Sequence, residues 1–192
     1  MPRASAADAA RTAARILQSA SCLFATHGYA QVSLDDIAHD AGVTRGAIYH
    51  HYQSKKGLFS AVAARLQAEV AGAVVAAAEE AVASPSEQLR AGSHAFLDTI
   101  TSRDFARILL VDAPSVIGWQ EWRRLDDENS AARLREALRS VRVPEALVDA
   151  TAALLSGAMN EAALWITQHD DPEAARTEAH TALDQLLTAY TD

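Results

Sequence analysis

Residues 33–58 read SLDDIAHDAGVTRGAIYHHYQSKKGL, and this stretch decides the fold. Ser33 is a good helix N-cap, and Asp36 three residues later completes a capping-box pattern, with Val32 and Ile37 at the two positions of a hydrophobic staple. Leu34, Ile37 and Ala38 then share one face of a short helix that stops at Ala41-Gly42. Glycine accepts positive φ without steric cost, which suits a tight turn between helices. Thr44 caps a second short helix, and Val43 with Ile48 repeats the staple spacing. Two short helices joined by a glycine turn describe a helix-turn-helix, whose second helix is built to lie in a DNA major groove.

The outward face of that second helix carries Arg45, Gly46, Tyr49 and His50, while Ala47 and Ile48 point toward the domain. A glycine on an exposed helical face costs about 1 kcal/mol relative to alanine, so close approach to a base edge is a reason for Gly46. Ser54 then caps another helix whose first turn holds Lys55 and Lys56. Two cations there oppose the helix dipole by roughly 0.3–1 kcal/mol each, unless a phosphate sits at that N-terminus. Solvated lysines are the plain alternative; beside a helix-turn-helix the phosphate is the better reading.

The stretch from Gly28 to Phe59, GYAQVSLDDIAHDAGVTRGAIYHHYQSKKGLF, closely resembles the DNA-binding domain of the tetracycline-repressor (TetR) family of bacterial transcriptional regulators. The resemblance rests on the DIA…AGV turn, on GAIY in the recognition helix, and on Tyr49, His51 and Tyr52. Lys55, Leu58 and Phe59 complete it. It implies that Thr44, Arg45, Gly46, Tyr49 and His50 contact operator DNA, that Lys55 meets a phosphate, and that the protein is a homodimer. Ser33 is placed with these DNA-binding residues. Tyr52 stands where the family more often has Phe, and its hydroxyl is expected to reach solvent. Repression relieved by a small-molecule effector is the family's usual mode.

Composition agrees with this reading. The chain has 192 residues, 49% of them hydrophobic, with few glycines and prolines and no sustained strand-like alternation; the expectation is an all-α fold of nine helices. The net charge of −8 argues at first against nucleic acid. Residues 1–60, however, hold six Lys/Arg against four Asp/Glu, a net of +2, and residues 61–192 hold eleven against twenty-one, a net of −10. A weakly basic head on an acidic body suits a sequence-specific binder docked by one end. The expected division is a DNA-binding domain over 1–54 and a ligand-binding and dimerisation domain over 55–192. No run of 18 apolar residues lacks charges and the N-terminus has no secretion pattern, so no membrane association is expected. The single cysteine, Cys22, suits a reducing cytoplasm and reads as packing.

Further along, a first helix is expected from about Ala7 to His27, closed at Gly28 with Tyr29 folded back on Phe24. A long fourth helix runs from Lys55 to about Val82. Ser84, Pro85 and Glu87 form a strong start for the fifth. Shorter helices follow over 103–112, ended by Pro114, and over 118–140. Pro144 and Asp171-Pro172 open the last two, near 144–168 and 172–190. Their apolar stripes (Leu147, Leu154, Ala158, Ala162 and Trp165; Ala175, Ala179, Leu183, Leu186 and Tyr190) suit a four-helix dimer interface, though periodicity fits an internal core as well. Dimerisation is favoured because one recognition helix reads only a few base pairs.

Effector contacts are expected from Phe96, Phe105, Trp119, Trp122 and Trp165, oriented by His94, Asp112 and Asn160, with the break around Pro114 shaping the pocket. Enzymatic readings are weak: the sequence holds no Gly-rich phosphate loop, GxSxG or HExxH. His50 and His51 diverge by about 100° on a helix, so no metal or cofactor is expected. The run Asp126-Asp127-Glu128 reads as a solvated helix surface. A helical-bundle enzyme or a pure interaction protein remains the alternative class.

Overall fold

The computed structural model describes residues 6–81, 84–102 and 105–190. Those residues form ten α-helices and one π-helical segment, with no strand among them. The head is α1 (Ala6–His27), α2 (Leu34–Asp40) and α3 (Arg45–Tyr52). The body begins with α4 (Lys55–Glu80) and α5 (Pro85–Thr101). A π-helical segment (Arg107–Asp112) runs into α6 (Ala113–Val116), followed by α7 (Trp119–Asp127), α8 (Ser130–Ser140), α9 (Glu145–Gln168) and α10 (Pro172–Thr188). The expected starts and ends at Arg103 and Val82 lie outside the described residues.

The capping chemistry read from sequence is present. Ser33 Oγ accepts from the Asp36 N–H at 3.1 Å while Asp36 Oδ2 accepts from the Ser33 N–H at 2.8 Å, the reciprocal capping box. Thr44, Ser54, Ser84 and Asp171 each accept a backbone N–H three residues on. α1 ends with the single bond from the Gly28 N–H to Phe24 O at 2.8 Å, and the Tyr29 ring lies 5.7 Å from that of Phe24. At the α2–α3 turn, the Gly42 N–H reaches His39 O and the Val43 N–H reaches Ala38 O, a Schellman pair closed by Gly42 at φ +61°. Arg15 on α1 donates to Ala41 O and Gly42 O, satisfying carbonyls that the end of α2 would otherwise leave bare.

Two departures from the nine-helix expectation have local causes. Pro114 does not end its helix. A proline ring meets the carbonyl four residues back in regular α geometry, here that of Leu110, and the wider turns of Arg107–Asp112 precede it. The expected helix over 118–140 is broken between Asp127 and Ser130. There Asn129 leaves helical backbone, at φ −121° and ψ −104°, while its side chain donates to Leu125 O at 2.7 Å, and α7 and α8 are separate.

One continuous apolar core runs from Ile16, Phe24 and Ile37 in the head, through Phe59, Leu66 and Val70 of α4, to Leu97, Leu138 and Ile166 in the body. α4 packs on α1 and α3 at its start and on α5 and α8 further along. It is long and apolar enough to cross a membrane by length and composition alone, yet Leu58, Phe59, Val62, Leu66 and Val70 are all buried in this core. The body stacks α5, α8 and α10 against α9.

Head and body are also tied by hydrogen bonds. Asp112 Oδ2 accepts from the Tyr29 N–H at 3.0 Å, and Arg107 Nη1 donates to Thr26 O at 3.2 Å. Trp122 Nε1–H donates to Leu109 O at 2.7 Å and holds the π-helical segment from behind.

Candidate nucleic-acid interface and effector cavity

α3 stands with Ile48 fully buried and Arg45, Gly46, Tyr49 and His50 exposed, so the outward face is the one expected. Ser33 and Thr44, both exposed, cap α2 and α3 beside it. A Cβ built on Gly46 would meet nothing closer than Thr44 Oγ1 at 3.8 Å. The protein's own packing therefore does not require glycine there. Gly57 is the opposite case: its Cβ would lie 2.2 Å from Tyr52 O, so the first turn of α4 presses on the end of α3 and only glycine fits. Sequence reading assigned Gly57 no role, because the obstruction belongs to a neighbouring helix.

Arg45 is braced on two sides. Its Nη1 lies 2.8 Å from Asp35 Oδ2 and its Nη2 3.3 Å from Tyr49 Oη, and the guanidinium sits 5.6 Å from the Tyr49 ring centre. Hydrogen bonding to Tyr49 and the charge of Asp35 push its pKa up. Lys55 Nζ lies 4.2 Å from the centre of the Tyr29 ring, and burial lowers its pKa. Tyr29, Phe24 and Phe59 form one edge-packed cluster, with Phe59 centred 5.2 Å from Phe24 and 5.0 Å from Tyr29. Tyr52 corrects an expectation: its hydroxyl does not reach for solvent but donates to Ala13 O of α1 at 2.8 Å, pinning the end of α3 to α1.

In the body, α4, α5, α8 and α9 line a cavity of about 340 Å³ that opens to the surface. Its apolar wall includes Val74, Leu89, Phe96, Leu134 and Met159, and Ser93, Ser130 and Ser156 supply hydroxyls. Gly92 lies against Val74, where an added Cβ would sit 3.3 Å from the Val74 side chain. Of the eight residues expected to meet an effector, Phe96 lines this cavity and the other seven lie elsewhere. Phe105 is half-buried against the core, and Asp112 holds the head as described. Trp119 is 62% exposed with its ring 4.8 Å from that of buried Trp122. Asn160 is half-buried on α9. Trp165 edges a groove between α9 and α10 with Ala162, Leu183 and Leu186.

His94 instead joins α5 to α10. Its Nε2 lies 2.7 Å from Asp184 Oδ1, and its ring stacks on that of His180 at 4.2 Å and 11°. His180 Nε2 lies 3.1 Å from Asp98 Oδ1 without hydrogen-bond alignment. Burial and then the charge of His94 lower the His180 pKa from 6.5, against the opposing pull of Asp98 and Asp184. A histidine whose folded value lies below its unfolded value gives stability that is present above about 6.5 and lost as pH falls below it. The melting temperature is therefore expected to drop between pH 7.5 and 5.5, and to drop less in His180→Gln. Parallel pH profiles for the two proteins would remove His180 as the cause.

Asp126 is a second correction. The solvated run expected at 126–128 has its first member buried, because α7 turns that side chain inward. Desolvation raises its pKa, Arg123 lies 3.3 Å away, and Ser156 of α9 bonds to it. The cavity's small residues (Gly92, Ser93, Ala131 and Ala137) are legible in sequence only as ordinary helical positions, and Trp119 and Trp165 are not among its lining.

Comparison with known proteins agrees with this geometry. The profile "Bacterial regulatory proteins, tetR family" matches residues 16–62, and "Tetracyclin repressor-like, C-terminal domain" matches residues 86–190. The crystal structure of a TetR-family transcriptional regulator from Pectobacterium atrosepticum is 31% identical and covers 97% of both chains, with a TM-score of 0.75. The Transposon Tn10 TetC protein of Escherichia coli is 32% identical over 113 residues, 59% of this chain and 56% of that protein. The HTH-type transcriptional regulator SrpR of Pseudomonas putida is 43% identical over 67 residues, 35% of this chain and 32% of that protein. The matched stretches thus span about a third and about half of these two curated relatives' own length. The match extends over both the helix-turn-helix and the helical body, and the chain belongs to the tetracycline-repressor (TetR) family of bacterial regulatory proteins.

Proposed function

We propose that the protein is a ligand-responsive transcriptional regulator that binds a palindromic operator as a homodimer and is released by a small molecule. The observation that carries this reading is the exposed face of α3, whose arginine is already held outward. Thr44, Arg45, Gly46, Tyr49 and His50 meet the major groove, and Ser33 and Lys55 meet the backbone at its edges. The division at residue 54 separates this head from a body that includes the rest of α4. The cavity among α4, α5, α8 and α9 receives a largely apolar effector. Asp112, Arg107 and α4 carry its effect to the head, and linkage makes DNA oppose the effector by the same factor. The last two helices form the dimer interface, supported by exposed Leu147, Leu154, Trp165 and Leu186. The regulator works in the cytoplasm without catalysis and without a cofactor.

The test selects DNA fragments from a pool of random duplexes with the wild-type protein, then repeats the titration with Arg45→Ala. The variant is expected to lose about 1–3 kcal/mol on the selected fragment and to relax preference at one position per half-site. Equal losses on selected and random duplexes would make Arg45 a phosphate contact. Failure of the wild type to enrich any fragment would remove the operator reading.

A further inference from the structure

α2 carries three carboxylates on or beside the proposed DNA face, and two are already engaged. Asp36 accepts from the Ser33 N–H and hydroxyl in the capping box, and Asp40 accepts from Ser19 Oγ. Asp35 alone is aimed across the turn, 2.8 Å from Arg45 Nη1. Both side chains of that pair are more than half exposed, at 65% for Asp35 and 52% for Arg45. An exposed ion pair of this kind contributes little to folding, and an acid beside a polyanion opposes binding to it. Arg45 is also the one Lys or Arg within α3, so Asp35 cancels the only full positive charge that the helix itself carries.

We propose that Asp35 is a specificity-determining residue that acts by positioning Arg45 and neutralising its charge against backbone phosphate. This rests on the operator-binding reading above. A guanidinium has five N–H donors. Asp35 takes one on Nη1 and Tyr49 takes one on Nη2, which leaves one on each terminal nitrogen. With the Nε–H, three donors remain from which a pair is offered to guanine O6 and N7. Arg45 therefore keeps both braces while it reads a guanine edge, its direction fixed in advance. Against a phosphate the situation differs. The contact depends on net charge and on release of counterions, and the Asp35–Arg45 pair has no net charge to offer. Asp35 thus removes from non-specific binding a contribution that it leaves available to the correct base.

The experiment compares wild type, Asp35→Asn and Asp35→Ala on a duplex selected from a random pool by the wild-type protein and on an unselected duplex of equal length, over a series of salt concentrations. With Asp35 removed, Arg45 is free to neutralise one phosphate per subunit. The slope of log affinity against log salt on the unselected duplex is expected to steepen by about two per dimer, with affinity there rising about tenfold near 0.1 M salt. Affinity for the selected duplex rises less, so the ratio of selected to unselected falls. In an Arg45→Ala background, Asp35→Asn has no cation to free, so the steepening of the slope is expected to be much smaller than in the wild-type background, whereas a merely structural role in α2 would steepen it in neither. Thermal melting controls for loss of the α2 first turn, where Asn retains the shape but not the charge.

An unchanged slope and ratio in Asp35→Asn, with wild type still discriminating between duplexes, overturns the Asp35 inference and leaves the operator reading intact. Equal weakening on both duplexes with a lowered melting temperature also overturns it. Absence of discrimination in the wild type overturns both.

Discussion

Phe59→Ala is expected to lower stability by about 3–5 kcal/mol, the range for emptying a fully buried aromatic site. Phe59 is 0% exposed and sits where the head meets α4, edge-on to both Phe24 and Tyr29. Its removal leaves a cavity at the one place where α1 and α4 share an aromatic cluster. It also loosens Tyr29, whose ring carries the Lys55 ammonium and whose backbone N–H is tied to Asp112. A domain of this size has about 5–15 kcal/mol in total, so the loss is a large share. Chemical denaturation followed by far-ultraviolet circular dichroism measures it. A change below about 1 kcal/mol would mean that the cluster collapses around the gap. Loss of DNA binding at temperatures where the body remains helical would place the damage in the head.

Leu154→Glu has its large effect outside the protomer. Leu154 is 72% exposed on α9, in line with Leu147 at 53% and Trp165 at 42%, and Leu186 at 52% lies on α10. Scattered exposed leucines need no explanation, but four large apolar residues on two adjacent helices form the patch on which the proposed dimer interface rests. A buried carboxylate facing its two-fold copy is unfavourable on both charge and desolvation grounds. The variant is expected to sediment as a monomer while keeping a wild-type circular dichroism spectrum, since exposed substitutions usually change stability by no more than about 0.5 kcal/mol. Operator affinity then falls about 10²- to 10⁴-fold, because the second half-site no longer binds at the effective concentration set by the first. A dimeric Leu154→Glu protein would move the interface away from this face.

The contrast between Asp36 and Asp126 shows where the sequence carries its information. Asp36 is three residues from the hydroxyl it pairs with, and both members of the capping box are visible in one line of text. The same holds for Thr44, Ser54, Ser84 with Pro85, and Asp171. It also holds for Gly42, whose φ of +61° closes a turn between two patterned helices. These determinants act over three or four residues, so the sequence by itself specified the helical class, the helix-turn-helix and the outward face of α3. The family profiles then matched both the head and the body.

Tertiary structure decided what depends on helices meeting across long separations in the chain. Asp126 is turned into the body, where Ser156 of α9, thirty residues on, bonds to it, and nothing in Asp126-Asp127-Glu128 announces that. Tyr52 gives its hydroxyl to Ala13, thirty-nine residues earlier. Gly57 is required by a carbonyl at the end of α3, and Lys55 is drawn over Tyr29. The cavity takes Val74, Gly92, Leu134 and Met159 from four different helices. An amphipathic stripe tells each helix which side to bury, but it does not tell a leucine or a serine which neighbour it will face. Caps and turns are settled within one helical turn; a cavity is the space left after several helices have packed, and its lining follows from their relative placement.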